Sequence, residues 1–172
     1  MHRLHLLRHA KSSRDEALED RDRPLSRRGR EAAQLVGETL PAALGRVDLV
    51  LCSSAQRTEE TAELVLACLP VPPRILFEDE LYLAGYPALL RRLLRLDDTD
   101  DAVLVIGHNP GLHELALRLA ATGSPAYRAL SAGKFPTTAR ASLAIDGAWS
   151  ALDRSRHPLV DYITVKSLDD KD

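Results

Sequence analysis

Two almost uninterrupted apolar runs, at residues 47–52 and 102–106, constrain the fold of this chain more than any other feature. Apolar runs of this length are typical of strands that are buried on both faces of a sheet. Around them lie segments in which apolar residues recur every three or four positions, as at 62–69 and 89–94. Strands of this kind that alternate with helices predict an α/β domain built on a mostly parallel sheet.

The remaining segments continue this alternation. A first strand is predicted over 4–7, followed by a polar loop over 11–25. Ser26 is placed to cap a helix that continues to about Leu40, where Pro41 ends or kinks it. Further strands are predicted over 74–77, 141–145 and 159–165, and further helices over 87–96 and after Gly111.

Composition and charge narrow the range of functions. The formal charge of −2 gives no overall bias toward nucleic acid or an anionic membrane. Cys52 and Cys68 cannot make a disulfide framework, which favours a reducing compartment. Since no apolar run is long enough for a signal-peptide core or a membrane span, we expect one cytoplasmic domain over 1–172. A charged, frayed tail is expected over 169–172.

Three of the predicted strands end in side chains that suit phosphate. Arg8 and His9 follow the first strand, Arg57 lies just past the second, and His108 follows the fourth. Because the carboxyl ends of parallel strands meet at one edge of a sheet, we expect these side chains to converge. Arginine supplies permanently charged, bidentate donors, and phosphoryl transfer depends mostly on positioning and on stabilising negative charge. The sequence therefore predicts a phosphate site at this edge.

Two helix N-termini are expected beside the same edge. Asn109 is a good N-cap residue and Pro110 suits the first helical position, so a helix is predicted to begin directly after His108. Ser54 is a similar candidate cap, which places Arg57 in the first turn of its helix. Helix N-termini offer unpaired backbone N–H groups and a positive dipole end to anions. We therefore count Asn109 among the phosphate-binding candidates.

The two histidines at this edge suit complementary roles. A neutral imidazole can attack phosphorus as a nucleophile, while a protonated one stabilises the phosphoryl oxygens. The residues themselves leave open which of His9 and His108 takes each role. The other histidines have no metal-ligand spacing, so no metal site is expected.

Four motifs, taken in order, resemble those of the histidine phosphatase superfamily, which includes the cofactor-dependent phosphoglycerate mutases, and within it the SixA-type phosphohistidine phosphatases. They are Leu6-Leu7-Arg8-His9-Ala10-Lys11-Ser12, Asp22-Arg23-Pro24-Leu25 with Gly29, Ser53-Ser54-Ala55-Gln56-Arg57 with Thr61-Ala62, and Gly107-His108-Asn109-Pro110-Gly111. The resemblance covers most of the chain. It implies a single-domain, three-layer sandwich of the phosphoglycerate mutase type, with helices on both faces of the sheet.

The resemblance also implies roles for individual residues. His9 would be the nucleophile that carries the phosphoryl group, with Arg8, Arg57 and His108 completing the pocket and with no metal or cofactor. Ala10 departs from the family's usual glycine, which is harmless if the backbone there is extended. Larger relatives place a glutamate beyond the third strand as the general acid. Here Glu78, Asp79 and Glu80 compete for that role, and we favour Glu80.

Three functions are compatible with these residues. The favoured one is a metal-independent phosphatase for phosphohistidine in proteins, because imidazole needs less help from an acid to leave than an alkoxide does. The short chain also leaves no room for a large lid over the pocket. The second is a small-molecule phosphomonoesterase or mutase on the same fold. The third, from another class, is a domain that binds phosphorylated partners without turnover.

Several residues have an ordinary structural interpretation instead. His5 alternates with apolar neighbours and is predicted to be a core residue. Lys11 and Ser12 could border the pocket, although loop residues of this kind are usually solvated. Four residues separate Cys52 from Arg57, whereas five separate the cysteine and arginine of cysteine phosphatases, so a buried structural thiol is expected.

Overall fold

The structure is a computed structural model that describes residues 1–169, and in it strands and helices alternate through most of the chain. The strands are β1 (His2–Arg8), β2 (Leu49–Ser53), β3 (Arg74–Glu78), β4 (Ala102–Gly107), β5 (Arg140–Ile145) and β6 (Leu159–Ile163). The helices are α1 (Arg27–Leu44), α2 (Gln56–Leu66), α3 (Tyr86–Leu94), α4 (Gly111–Leu119), α5 (Pro125–Ala132) and α6 (Val165–Asp169). Of the charged tail predicted over 169–172, Asp169 is instead the last residue of α6, and residues 170–172 lie outside the described part.

The sheet has the strand order β3-β2-β4-β1-β5-β6. Strands β1 to β4 are mutually parallel, while β5 runs antiparallel to both β1 and β6, which confirms the mostly parallel sheet. In the central pair, Arg8 of β1 lies beside Gly107 of β4. This register sets His9 and His108 level with each other just beyond the sheet, because each is the next residue of its strand.

Helices cover both faces of the sheet, so the predicted three-layer arrangement is confirmed. Side chains of a strand alternate between faces, and β1 illustrates this: Leu4 and Leu6 join the core under α3, α4 and α5, whereas Leu7 joins the core under α1 and α2. Each fully buried side chain of this size contributes roughly 1.5–3 kcal/mol by leaving water. The two cores hold the carboxyl ends of β1, β2 and β4 in a fixed relation.

Some element boundaries differ from the prediction. Ser26 does cap α1, accepting a hydrogen bond from the backbone N–H of Gly29, but the helix continues through Pro41 to Leu44. It ends at Gly45, whose φ of 63° lies in the left-handed region that favours glycine. The last strand stops at Ile163, so the predicted strand over 159–165 was too long.

Two helices, α5 and α6, were not anticipated. Helix α5 begins with Ser124, whose hydroxyl accepts from the N–H of Tyr127, and with Pro125 in the first turn. These are ordinary signals for a helix start, but the helix is only 8 residues long and Leu130 is its one buried residue, so it is anchored to the core at few positions. No helix within residues 1–169 is both long enough and apolar enough to cross a bilayer.

Gly29, a residue of the second motif, marks a close approach between α1 and the loop after β1. A Cβ atom at this position would lie 2.0 Å from the carbonyl oxygen of Lys11, a backbone atom that cannot move without moving the loop. We expect Gly29→Ala to lower the free energy of unfolding by about 3 kcal/mol, the cost of overpacking a rigid contact. Urea unfolding measures this change.

A matched variant is Gly133→Ala. Gly133 has a φ of −131° and no heavy atom within 4 Å of an added Cβ atom, so its replacement should change the free energy of unfolding by less than about 1 kcal/mol. Equal destabilisation by both substitutions would contradict the close-approach explanation.

Candidate active site

The carboxyl ends of β1, β2 and β4 open into a cavity of about 500 Å³. It is lined by Arg8, His9, Lys11, Ser12, Arg14, Asp20, Arg23, Arg57, Leu83, His108, Asn109 and Thr137. Five of these side chains are arginine or lysine and one is a carboxylate, so the cavity favours an anion. The structure therefore brings together all of the predicted phosphate-binding residues, and both histidines with them.

His9 is held by the chain on one side and open on the other. Its Nδ1 lies 2.7 Å from the carbonyl oxygen of Ala10, and because a carbonyl only accepts, Nδ1 carries the proton. The lone pair is then on Nε2, which has no hydrogen-bond partner within residues 1–169. The side chain is only 7% exposed, and this burial lowers the pKa of His9 to about 4, with Arg57 and Arg8 acting in the same direction. His9 is thus a neutral imidazole with one free nitrogen.

A direct test is the protonation of His9 in solution. With its pKa near 4, the ring should keep the chemical shifts of the neutral form down to about pH 5, where a free imidazole is mostly protonated. Since the folded pKa lies below the unfolded value, His9 contributes stability above about pH 6.5 that is lost as the pH falls toward 4. Histidine-selective NMR follows the titration, with His9→Asn to assign the resonance.

The urea-unfolded chain is the reference for this titration and should give a midpoint near 6.5. A midpoint of about 6 or higher in the folded protein would mean that the site does not hold His9 neutral.

His108, in contrast, has both ring nitrogens engaged by the protein. Nε2 lies 2.7 Å from the hydroxyl oxygen of Ser53, at the end of β2, and Nδ1 lies 3.4 Å from Nη2 of Arg57. Burial lowers the pKa of His108 to about 3, and the proximity of His9 and of the charged Arg57 adds to this. The rings of His9 and His108 are 5.3 Å apart, centroid to centroid. An arriving phosphoryl dianion would favour the protonated form of His108, which could then donate to it.

The two arginines are placed to surround an anion between them. Arg57 is 2% exposed, and its Nη1 and Nη2 donate to the backbone and side-chain oxygens of Asp20 at 2.8 and 3.1 Å. Nη1 of Arg8 donates to the carbonyl oxygen of Phe135 at 3.2 Å. Burial, and next to it the charge of Arg57, lowers the pKa of Arg8. The Nε atoms of both arginines are buried without a hydrogen-bond partner in residues 1–169, a costly state that an anionic ligand would relieve.

Asp20 is a site residue that the sequence analysis missed. Its carboxylate accepts from Arg57, from Arg23 and from the hydroxyl of Tyr82, and the Tyr82 bond is the main reason that the pKa of Asp20 falls to about 2. Arg23, from the second motif, also donates to the hydroxyl of Ser12 at 2.9 Å and so ties the loop together. The only local signal for Asp20 was its place in a polar loop, two residues before that motif.

The three carboxylates considered for the general acid lie elsewhere. None of Glu78, Asp79 and Glu80 lines the cavity. Glu80 is exposed and pairs with Arg95 at 3.0 Å and with Arg92 at 3.5 Å. Glu78 binds Arg92 through both oxygens, and Asp79 accepts from Ser54 and Arg21. The structure thus does not bring Glu80 to the phosphate site, because arginines of α3 and its end hold it outside.

The predicted caps of the two nearby helices were wrong. Helix α4 begins at Gly111 with Pro110 at the N-cap, and the side chain of Asn109 instead donates to the carbonyl oxygen of Phe135 at 2.7 Å. Helix α2 begins after Ala55, while the hydroxyl of Ser54 donates to Asp79 at 2.6 Å. Both polar side chains found partners distant in the chain. The placement of Arg57 in the first turn of α2 is nevertheless confirmed.

Several motif residues act as supports for the site. Ala10 is not among the residues with positive φ, and its backbone N–H donates to the hydroxyl of Thr61 at 3.0 Å. Thr61 in turn donates to the carbonyl oxygen of Arg57 at 2.7 Å, so the first and third motifs are connected. Alanine is therefore compatible with the backbone at this position. Thr138, with a φ of 62°, fixes the opposite wall by donating from its N–H to the carbonyl oxygens of Arg8 and His9.

The residues with a structural interpretation are mostly where they were expected. His5 is buried, bonds Ser142 through Nδ1 at 2.7 Å, and has its pKa lowered by burial to about 3. Cys52 is fully buried, and burial raises the pKa of its thiol to about 12. Lys11 and Ser12, by contrast, do line the cavity. Within residues 1–169 no group of three or more His, Cys, Asp or Glu side chains is arranged to hold a metal ion.

Comparisons with known proteins identify the family and the fold. The model of the histidine phosphatase superfamily, branch 1, matches residues 4–79. An uncharacterized protein from Mycobacterium tuberculosis is 36% identical over 158 residues, covering 91% of this chain and 98% of its own. Among solved structures, the protein from Nakamurella multipartitia assigned as the phosphohistidine phosphatase SixA is 30% identical, with a TM-score of 0.81 and 95% of each chain covered.

A second structure is informative because of its ligand. The protein histidine phosphatase SixA complexed with tungstate, a tetrahedral oxyanion, has a TM-score of 0.78 at 25% identity and covers 96% of this chain and 99% of its own. The chain therefore belongs to the histidine phosphatase superfamily and is of the SixA type.

Proposed function

We propose that this protein is a phosphatase that removes phosphate from phosphohistidine in proteins, through a phosphoryl intermediate on its own His9. The observation that carries the proposal is the hydrogen bond from Nδ1 of His9 to the carbonyl oxygen of Ala10. It leaves Nε2 as a free, unprotonated nucleophile in a cavity that Arg57 and Arg8 make positive. His108 lacks such a free nitrogen, which favours His9 for the attack.

The reaction would take place in two steps. In the first, Nε2 of His9 attacks the phosphorus of a phosphohistidine whose other ring nitrogen carries a proton. The bond between phosphorus and the substrate's ring nitrogen breaks, and the ring takes the electron pair and leaves as a neutral imidazole. In the second, water attacks phosphorus from the side that the leaving group vacated, the bond to Nε2 breaks, and orthophosphate is released. Arg8 and Arg57 would hold the equatorial oxygens in both steps, and protonated His108 would neutralise the charge that develops.

The supply of acid groups favours phosphohistidine as the substrate. Asp20 is the single carboxylate among the residues that line the cavity, all of which the structure describes. With its pKa near 2 it is ionised at neutral pH and has no proton to give. An alkoxide leaving group needs such a proton, whereas an imidazole, with a conjugate-acid pKa of roughly 6.5, leaves far more readily without one. Glu80 does not line the cavity and is paired with Arg92 and Arg95, so it is not placed to protonate the leaving group instead.

The test is a substrate panel on one enzyme preparation. We expect kcat/KM for a phosphohistidine peptide to exceed that for the matching phosphoserine peptide by about 10²- to 10⁴-fold, the usual contribution of the general acid catalysis that the ester would require. Phosphate release is the measurement, and a preparation with His9→Ala sets the background. Preference for small phosphomonoesters would support the phosphomonoesterase alternative, and tight binding of phosphopeptide without release would support a binding domain.

A further inference from the structure

A second cavity, of about 600 Å³, adjoins the catalytic cavity and shares Lys11 and Thr137 with it. Its walls come from four separate parts of the chain: the loop after β1, the first turns of α1, the segment between α5 and β5, and the start of α6. We call it the basic groove and define it by Lys11, Arg28, Lys134 and Lys166. Because the two cavities meet at Lys11 and Thr137, the basic groove lies directly beside the site where a substrate's phosphoryl group would bind.

The charged residues that line the basic groove are all positive. Four of its lining residues are cations and none is acidic. All four cationic side chains are exposed, and none forms an ion pair with a carboxylate of residues 1–169. Arg27 gives the contrast, since it adjoins Arg28 in sequence but pairs with Glu31. In a chain whose formal charge is −2, such a collection of unpaired positive charge is a local feature of this face.

The kind of cation indicates the kind of ligand. The catalytic cavity is built around the buried Arg57 and the half-buried Arg8, whose planar guanidinium groups offer fixed, bidentate donors to an anion. The basic groove has exposed groups at separate points, and three of the four are lysines, which are flexible point charges. This arrangement suits carboxylates spread over a protein surface better than a second phosphate at one fixed position. We propose that the basic groove binds an acidic stretch of the phosphorylated protein, next to its phosphohistidine.

This inference rests on the proposed function and adds the selection of a substrate by charge. Two phosphohistidine peptides of equal length test it: one carries Asp and Glu at the flanking positions, and the other carries Asn and Gln there. At low ionic strength we expect kcat/KM for the acidic peptide to be about tenfold higher, because opposite charge speeds encounter and holds the complex. Added salt should reduce this ratio.

Charge-reversal variants test whether the basic groove causes the preference for the acidic peptide. In the Lys134→Glu, Lys166→Glu double variant, the ratio of kcat/KM for acidic to neutral peptide should fall to one or below. The control is Arg91→Glu, which reverses an exposed charge on α3 and changes the net charge by the same amount per residue. Because α3 does not line the basic groove, the ratio of kcat/KM for acidic to neutral peptide should stay near that of the wild type. A ratio that falls equally in Arg91→Glu would overturn the proposal, since it would reflect overall charge alone.

Phosphoimidazole separates this inference from the proposed function, because it has the same leaving group and no flanking residues. A wild type that hydrolyses phosphoimidazole but gives equal kcat/KM for the two peptides refutes the basic groove and leaves the phosphatase intact. That result would also be expected if the groove served a second phosphate of a small molecule. A wild type that hydrolyses neither phosphoimidazole nor the peptides refutes both.

Discussion

Replacing His9 with Ala should abolish the phosphoenzyme and lower kcat/KM for a phosphohistidine peptide by at least about 10⁴-fold. The expected loss is large because the substitution removes the atom that forms the covalent bond, and residues acting around a missing nucleophile retain little of its effect. The measurement is a rapid quench with labelled substrate under alkaline conditions, in which phosphohistidine survives. The wild type should show acid-labile label on the protein, and the variant none.

The matched control is His2→Gln, which changes a buried histidine at the opposite end of the same strand. His2 stacks on Trp149 with ring centroids 4.6 Å apart and lines neither the catalytic cavity nor the basic groove. This variant should therefore be labelled like the wild type even if its thermal stability falls. Labelling of His9→Ala at the wild-type level would rule out His9 as the acceptor. Partial return of turnover with added imidazole would support its role, because the free base can enter the space that Ala leaves.

The fold was predictable because its strongest signals are local. The apolar runs that became β2 and β4 are long enough to specify strands buried on both faces, and this alone implies parallel neighbours with helices above and below. Convergence of the site then follows from topology, since Arg8 pairs with Gly107 and both strands end together. The glycines of the motifs had a physical reason that sequence does not reveal: a Cβ atom at Gly111 would lie 2.0 Å from the carbonyl oxygen of Ala84.

The parts that were missed depend on contacts between distant residues. Asn109 and Ser54 have the right side chains to cap helices, but each finds a partner more than 20 residues away, in Phe135 and Asp79, that competes with the cap. Asp20 reaches the site through a loop whose path depends on Arg23, and no periodic pattern describes such a loop. The choice among neighbouring carboxylates failed for the same reason, because arginines on another element decide where Glu80 points.

Arg57 should be the most sensitive residue after His9. We expect Arg57→Ala to lower kcat/KM about 10³-fold, in the range found when a charged donor is removed from a phosphoryl-transfer site. Arg57→Lys should recover no more than about tenfold of this loss. A lysine ammonium keeps the charge, but it cannot donate to Asp20 and to a phosphoryl oxygen from one rigid plane.

The control for Arg57 is Arg92→Ala, which removes another largely buried arginine that pairs with a carboxylate, Glu78, outside the cavity. Both alanine variants should lose stability because each removes an arginine that donates to a carboxylate, and thermal unfolding measures that shared effect. Only Arg57→Ala should lose turnover at a temperature where both are folded. If Arg57→Lys kept kcat/KM within about tenfold of the wild type, Arg57 would act through its charge alone. The hydrogen bonds from Arg57 to Asp20 would then hold the loop in place without positioning the guanidinium for phosphate.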